Sequence, residues 1–145
     1  MVTVTGPWSS DDVASFLGTQ TVPIRLGCRR PDGDPWMLSL WYRYRDGVFE
    51  CATSADADVV SYLSHDPVVS FEVSTNDPPY RGVRGNGETT VTPDAEKTVL
   101  RDLIERYLDG TDNPLAQRLL SPDREEVTIT LTPDRLHSWD YSERM

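Results

Sequence analysis

The chain has little cysteine and little histidine. Its two cysteines, Cys28 and Cys51, are too few for a disulfide framework, and no CxxC or Cys/His spacing of a zinc site is present. Both lie in strand-like segments, where a free thiol usually serves as a small buried apolar side chain. We therefore expect neither a disulfide-stapled fold nor a metal site.

Long apolar runs are also missing. No run approaches the roughly 20 residues that a membrane helix needs. The first residues, MVTVTGPWSSDD, lack the basic and apolar segments of a secretory signal. We expect one cytoplasmic domain over residues 1–145, with no membrane partner.

Positive charge is scarce. The formal net charge is −10, and Lys97 is the only lysine among 14 basic residues. Such a surface repels nucleic acid, so no nucleic-acid partner is expected. The carboxylates are spread along the whole chain, which indicates an acidic solvated surface. A salt-rich, halophilic cytosol is one hypothesis for this charge, because salt screens the repulsion.

Motifs of nucleophilic or hydrolytic catalysis are absent. The sequence contains no GxSxG, P-loop or HExxH motif. His65 and His137 are the only histidines, and neither stands in an acid–base pattern. No catalytic residue is predicted, and hydrolytic or group-transfer chemistry is disfavoured.

The chain does contain a series of short strands. The segments VPIRLGCRR, WMLSLWYRY and VFECAT are joined by the turn dipeptides Asp32-Gly33 and Asp46-Gly47, which favours an antiparallel meander. Further strands are predicted at PVVSFEVST, YRGVRGNGETTV and EEVTITLT. Within the fifth strand, Gly82, Gly85 and Gly87 indicate bulges or a close approach of other backbone or ligand.

Three or four helices accompany the strands, one of them a brief helix between VFECAT and PVVSFEVST. SSDDVASFLGTQ predicts a helix capped by Ser9 or Ser10, and NPLAQRLLSP predicts a short helix capped by Asn113. TPDAEKTVLRDLIERYLDG predicts the longest helix, with Thr92 or Asp94 as its cap and Pro93 in its first turn; its apolar face is expected to pack outside the strands. Together these elements predict a small barrel in an α+β domain.

The domain has four expected parts and no repeat or linker. These are an N-terminal helix at 9–18, a barrel core at 22–92 and 125–132, a helical insert at 93–121, and a C-terminal tail at 133–145 without clear periodicity.

Aromatic and arginine side chains could hold a flat, phosphorylated ligand. Stacking surfaces are available from Trp36, Trp41, Tyr42, Tyr44, Tyr80 and Trp139, and guanidinium groups from Arg25, Arg29, Arg43, Arg81 and Arg84. Aromatic residues in strands also commonly belong to a core or an interface, so the pattern alone leaves both interpretations open.

The order of elements from Ile24 to Val91 resembles the pyridoxamine 5′-phosphate oxidase-like split-barrel superfamily, which includes flavin- and deazaflavin-dependent oxidoreductases. Four motifs carry the resemblance: PDGDPWMLSLWY, RDGVFECAT, a short helix ending in YLSHDP, and RGVRGNG. It implies a mainly β, six-stranded antiparallel split β-barrel with peripheral helices. It also implies a homodimer with a cofactor cleft at the subunit interface.

The implied function is an FMN-type flavin-dependent oxidoreductase that acts on a small molecule. F420 is the alternative cofactor. The alternative is a non-catalytic flavin-binding barrel, or one with no cofactor, in a sensing, storage or structural role. The resemblance implies that Ser39, Leu40 and Trp41 lie along the ring, and that Thr53 and Ser54 donate to the phosphate or ribityl chain.

Four further positions follow from the resemblance. Arg81 and Arg84 match basic positions, and Trp139 lies where it could cover a partner's site. Val59 stands where many members carry a phosphate-binding lysine, and Asp56 and Asp58 are close to it.

This departure leaves the phosphate without its usual partner. A helix N-terminus is a natural anion site, but the two aspartates would satisfy its N–H groups themselves and repel a phosphate. Three answers remain open. Arg25, Arg81 or Arg84 replaces the lysine, or the ligand has no phosphate at this position, or the barrel has lost its cofactor.

Overall fold

The computed structural model of the chain describes residues 2–144. Its elements in chain order are β1 (Thr3–Thr5), α1 (Ser10–Thr19), β2 (Ile24–Arg29), β3 (Pro35–Leu40), β4 (Tyr42–Arg45), β5 (Val48–Ser54), α2 (Asp58–His65), β6 (Val68–Ser74), β7 (Arg81–Pro93), α3 (Thr98–Leu108), α4 (Pro114–Leu119) and β8 (Glu126–Asp140). One sheet has the strand order β3-β2-β6-β7-β8-β5-β4, and β1 pairs with β8 in parallel. All other pairs in this part of the chain are antiparallel.

The sheet curls because one run of chain supplies both of its ends. β3 and β4 are separated only by Trp41, yet they occupy opposite ends of the strand order. β3 pairs with β2, whereas β4 pairs with β5. The sequence predicts this run as a single strand and predicts no strand at Thr3–Thr5, so the sheet has eight strands where six are predicted. The predicted α+β split barrel is confirmed.

The core fills the inside of the barrel. It takes alternate side chains of the strands together with one face each of α1 and α2. Tyr42 is fully buried there, and its hydroxyl donates to the carbonyl oxygen of Leu17 at 2.8 Å. The predicted apolar stripe of the first helix, Val13, Phe16 and Leu17, is buried against this core.

The glycines of β7 lie where the neighbouring backbone is too close for a side chain. A Cβ on Gly85 would stand 1.9 Å from the carbonyl oxygen of Arg135, and one on Gly87 would stand 2.2 Å from that of Thr132. The register between β7 and β8 shifts between Asn86 and Gly87. Both parts of the sequence interpretation, a bulge and a close backbone approach, are therefore confirmed.

β8 is longer than the sequence indicates. It continues to Asp140, so residues 133–140 belong to the sheet and not to a tail. Pro133 pairs with Gly87 and Arg135 with Asn86, which leaves Asp134 as an extra residue. This insertion shifts the alternation of buried and exposed side chains by one residue. The sequence after Pro133 therefore does not continue the period of the strand before it.

The long helix begins later than predicted. Pro93 is the last residue of β7, and α3 starts at Thr98. The N-cap residue is Lys97, not Thr92 or Asp94, but Asp94 has the capping function, because its carboxylate accepts from the backbone N–H groups of Thr98 at 2.9 Å and Leu100 at 3.2 Å. Ser9 and Asn113 cap α1 and α4, as predicted.

α3 and α4 lie outside the barrel. Leu100, Ile104 and Ala116 form a second apolar cluster there, with Trp41 and Ala52 of the strands packed against it. Within residues 2–144, no helix combines the length and apolar character needed to cross a membrane.

Candidate functional site

A pocket lies outside the barrel between the strands and the two later helices. We call it the strand–helix pocket. Its volume is about 350 Å³, and it is lined by Pro23, Ser39, Leu40, Trp41, Ala52, Thr53, Leu100, Leu115, Leu119, Arg124 and Glu126. Most of these residues are apolar and a few are polar, which is the usual character of a small-molecule site.

The break between β3 and β4 forms one wall of the pocket. Trp41 sits at the break, and its ring stacks on Tyr107 of α3 with centroids 5.2 Å apart and planes 9° from parallel. The Tyr107 hydroxyl accepts from the backbone N–H of Tyr42 at 3.2 Å and donates to the carbonyl oxygen of Val22 at 3.0 Å. Burial raises the pKa of Tyr107, so this hydroxyl stays protonated at neutral pH. The helix therefore fixes the strand break from outside.

The polar end of the pocket consists of Arg124 and Glu126. The Glu126 side chain is 1% exposed, and both of its oxygens lie 3.4 Å from Nη2 of Arg124. The Nε of Arg124 is buried and has no partner among the described residues. The sequence did not indicate either residue, because no local spacing relates the turn before β8 to Trp41 or Thr53.

Four of the predicted site residues meet in this pocket: Ser39, Leu40, Trp41 and Thr53. Ser54 is not a lining residue. It ends β5 opposite Glu126, and its hydroxyl accepts from the backbone N–H of Asp56 at 3.3 Å.

The N-terminus of α2 differs from its prediction. Val59 is 2% exposed and belongs to the core, so a side chain at this position does not reach the pocket. Asp56 and Asp58 are exposed, Ala57 is the N-cap, and among residues 2–144 neither carboxylate is hydrogen-bonded. The prediction that these carboxylates satisfy the first N–H groups of the helix is therefore wrong.

A row of polar side chains crosses the outer face of the sheet. Register partners run from Ser39 through Arg25, Glu72 and Arg84 to His137. Directly opposed residues of antiparallel strands project from the same face, so these side chains are neighbours. Because Ser39 also lines the strand–helix pocket, the row begins at the edge of that pocket.

We call Arg25, Arg84 and Arg135 the arginine cluster. The three residues line one open cavity of about 560 Å³, together with Glu72 and His137. None of the three guanidinium groups forms a hydrogen bond or ion pair with another residue of 2–144. This face is thus locally positive on a chain whose net charge is −10.

Two predicted site residues lie away from both features. The Arg81 guanidinium stands over the Phe16 ring, 5.7 Å from its centroid. Trp139 packs against Tyr141 with ring centroids 5.1 Å apart, and its Nε1 is buried without a partner in the described chain. Neither residue lines the strand–helix pocket.

Comparison with known proteins gives structural neighbours only. No family model and no curated protein sequence matches the chain. The hypothetical protein Rv2991 of Mycobacterium tuberculosis is similar over 93% of this chain and 86% of its own, with 26% identity and a TM-score of 0.76. A protein named F420 reductase is similar over 84% of this chain and 94% of its own, with 25% identity and a TM-score of 0.65.

More distant structures share the fold alone. The haem storage protein HutZ of Vibrio cholerae is 15% identical with a TM-score of 0.65, over 84% of this chain and 89% of its own. The chain thus shares the fold of these neighbours, which is the fold of the pyridoxamine 5′-phosphate oxidase-like split-barrel superfamily that the sequence motifs resemble. The neighbours include proteins named for F420, FAD and haem.

Proposed function

We propose that the chain binds FMN, or the deazaflavin F420, in the strand–helix pocket and uses it as an oxidoreductase on a small molecule. One observation carries this proposal. Ser39 and Leu40 end β3, Trp41 stands at the break after it and Thr53 belongs to β5, and all four line the same cavity. The similarity to a protein named F420 reductase supports the same cofactor class.

The residues of the pocket suit a flat ring with polar edges. Leu40, Trp41 and Leu100 provide apolar walls, while Thr53 and Arg124 provide donors, the latter through a buried Nε that has no partner within residues 2–144. When bound, the flavin supplies hydride or electron transfer. The chain would orient the ring and exclude water, and for this it needs no dedicated histidine.

The arginine cluster is our candidate for the phosphate. Arg25 lies opposite Ser39 and is the charged residue of the row next to the pocket; Arg84 follows one strand beyond Glu72. A guanidinium group is well suited to phosphate. We propose that Arg25 and Arg84 replace the lysine missing at Val59.

We further propose that the chain is a homodimer whose second copy covers this face. Met37 lines the cavity of the cluster and Val68 lines the cavity beside it, and they are 70% and 51% exposed. Exposed apolar side chains beside an open cavity are common at subunit interfaces. Sedimentation velocity would test this, and a monomer at micromolar concentration would contradict it.

The cofactor proposal is tested by comparing FMN with riboflavin, which lacks the phosphate. We expect the chain to retain about one FMN per subunit after gel filtration. The double variant R25A/R84A should bind FMN about tenfold more weakly, which corresponds to about 1.4 kcal/mol, and riboflavin unchanged. The control is R30A, an exposed arginine in the β2–β3 turn. Equal affinity of the unmodified chain for FMN and riboflavin would exclude a phosphate role for the cluster.

The alternative is a barrel that holds a flavin, or no cofactor, without turnover. The similarity in fold to a haem storage protein favours it, and the carboxylate in the pocket lining, Glu126, is paired with Arg124. NADH, NADPH and reduced F420 would be mixed with the flavin-loaded protein. Bleaching of the flavin by one donor supports the oxidoreductase, whereas a coloured protein that none of them reduces supports the alternative.

A further inference from the structure

Glu126 is a carboxylate in an unusual place. It begins β8, its side chain is 1% exposed, and it lines the strand–helix pocket. Taking a carboxylate out of water is costly unless the charge is paired and its oxygens accept hydrogen bonds. The sequence contains many acidic residues, but most are on the surface, so the burial of this one calls for a reason.

The pairing of Glu126 is incomplete. Its only side-chain partner among residues 2–144 is Nη2 of Arg124, 3.4 Å from each oxygen, which is near the outer limit of a hydrogen bond. A carboxylate can accept about four hydrogen bonds, so most of this capacity is unused. The other cation near this end, Lys97, donates instead to the carbonyl oxygen of Ser121.

Arg124, in turn, has hydrogen-bond donors that are not used. Its Nε is buried and without a partner in the described residues, although a guanidinium carries five N–H donors. Arg124 and Glu126 both line the strand–helix pocket. The wall of the pocket therefore contains a carboxylate with spare acceptor capacity beside a guanidinium with spare donor capacity.

We infer that Arg124 and Glu126 recognise the imide edge of the ring that binds in this pocket. An imide edge presents an N–H group next to a carbonyl oxygen. The Glu126 carboxylate would accept from the ring N–H, and the Arg124 guanidinium would donate to the carbonyl oxygen. The pyrimidine rings of FMN and F420 both have such an edge, at N3. This inference rests on the proposed function, because it assumes that the ring lies in this pocket.

The same pair gives the pocket its specificity. A flat ligand without the N–H group leaves the buried carboxylate with only its long contacts to Arg124, and a ligand with a carboxylate at this position meets a like charge. Sites that hydrogen-bond a ligand group reject analogues lacking it much more strongly than apolar pockets do. Arg124 and Glu126 would thus select imide-bearing heterocycles among flat aromatic molecules.

The test compares riboflavin with N3-methylriboflavin, which lacks only the N–H donor. Titrations would follow flavin fluorescence with the unmodified chain, E126Q and E126A. We expect methylation to weaken binding to the unmodified chain at least tenfold. In E126A riboflavin should bind more weakly, and methylation should then have little effect. E125A is the control, since Glu125 is the exposed neighbour and should behave as the unmodified chain.

Each outcome separates the two proposals. If riboflavin binds and methylation changes nothing in the unmodified chain, the imide inference is overturned while the flavin proposal stands. A methylation penalty that persists in E126A would mean a steric effect and would also overturn it. If the unmodified chain binds none of riboflavin, FMN and F420, both proposals fail. Circular dichroism checks folding, and should E126A not fold, the near-isosteric E126Q, which keeps an acceptor but loses the charge, is expected to show a reduced penalty.

Discussion

At the scale of single residues, the burial of Val59 explains why this position of α2 is not occupied by a lysine. The side chain is 2% exposed and packs in the barrel core. V59K would place an ammonium group there without a partner, at a cost of about 3 kcal/mol or more. Urea unfolding should show this loss, while V60K on the half-buried neighbouring position should lose much less. A V59K variant that is as stable as the unmodified chain and binds FMN more tightly would restore the lysine site.

The two thiols give a second prediction at this scale. Cys51 is 1% exposed, and burial, with a smaller effect from the charge of Glu50, raises its thiol pKa to about 12. Burial likewise raises the pKa of Cys28. Because the thiolate is the reactive form, a disulfide reagent at pH 8 should label neither residue in the folded protein and both in denaturant. Rapid labelling of one thiol without denaturant would show that the barrel opens locally.

At the scale of elements, the sequence predicted the features that depend on neighbouring residues and missed those that depend on pairing between distant strands. The Asp46-Gly47 hairpin was identifiable because both residues adopt positive φ, at 54° and 78°, a conformation that Asp and Gly tolerate. The break at Trp41 was not, since it depends on pairing with β2 on one side and β5 on the other. Likewise, Arg124 and Glu126 reach the pocket only through the fold, so the sequence predicted its strand side and missed its β8 end.

The carboxylate of Asp94 caps the start of α3, and its removal should destabilise that helix. Asp94 is 8% exposed, and its two oxygens accept from the N–H groups of Thr98 and Leu100. D94A should lower the free energy of unfolding by about 1–2 kcal/mol, as for other helix caps. It should also weaken flavin binding, because Leu100 lines the strand–helix pocket. D112A, at an exposed position before α4, is the control, and equal stability of the two variants would contradict the capping role.

For the whole molecule, the excess of acidic groups predicts a stability that rises with salt. The chain has 24 acidic and 14 basic residues, and most of its carboxylates face solvent. Salt reduces the Debye length to about 10 Å at 0.1 M, so repulsion across the surface should be screened by moderate concentrations. We expect the thermal midpoint to rise by several degrees between 0.02 and 0.5 M KCl. A midpoint that is already maximal in dilute buffer would remove the case for adaptation to a salty cytosol.

The same salt series should act in the opposite direction on the cofactor. The arginine cluster is a positive region on an acidic molecule, and its attraction for the FMN phosphate is weakened by the ions that stabilise the fold. Riboflavin has no phosphate, so salt should not weaken its binding through the arginine cluster. We expect the ratio of FMN to riboflavin affinity to fall as KCl rises, and to be independent of salt in R25A/R84A. A ratio that does not change in the unmodified chain would mean that the phosphate binds elsewhere, or that it is not bound by charge.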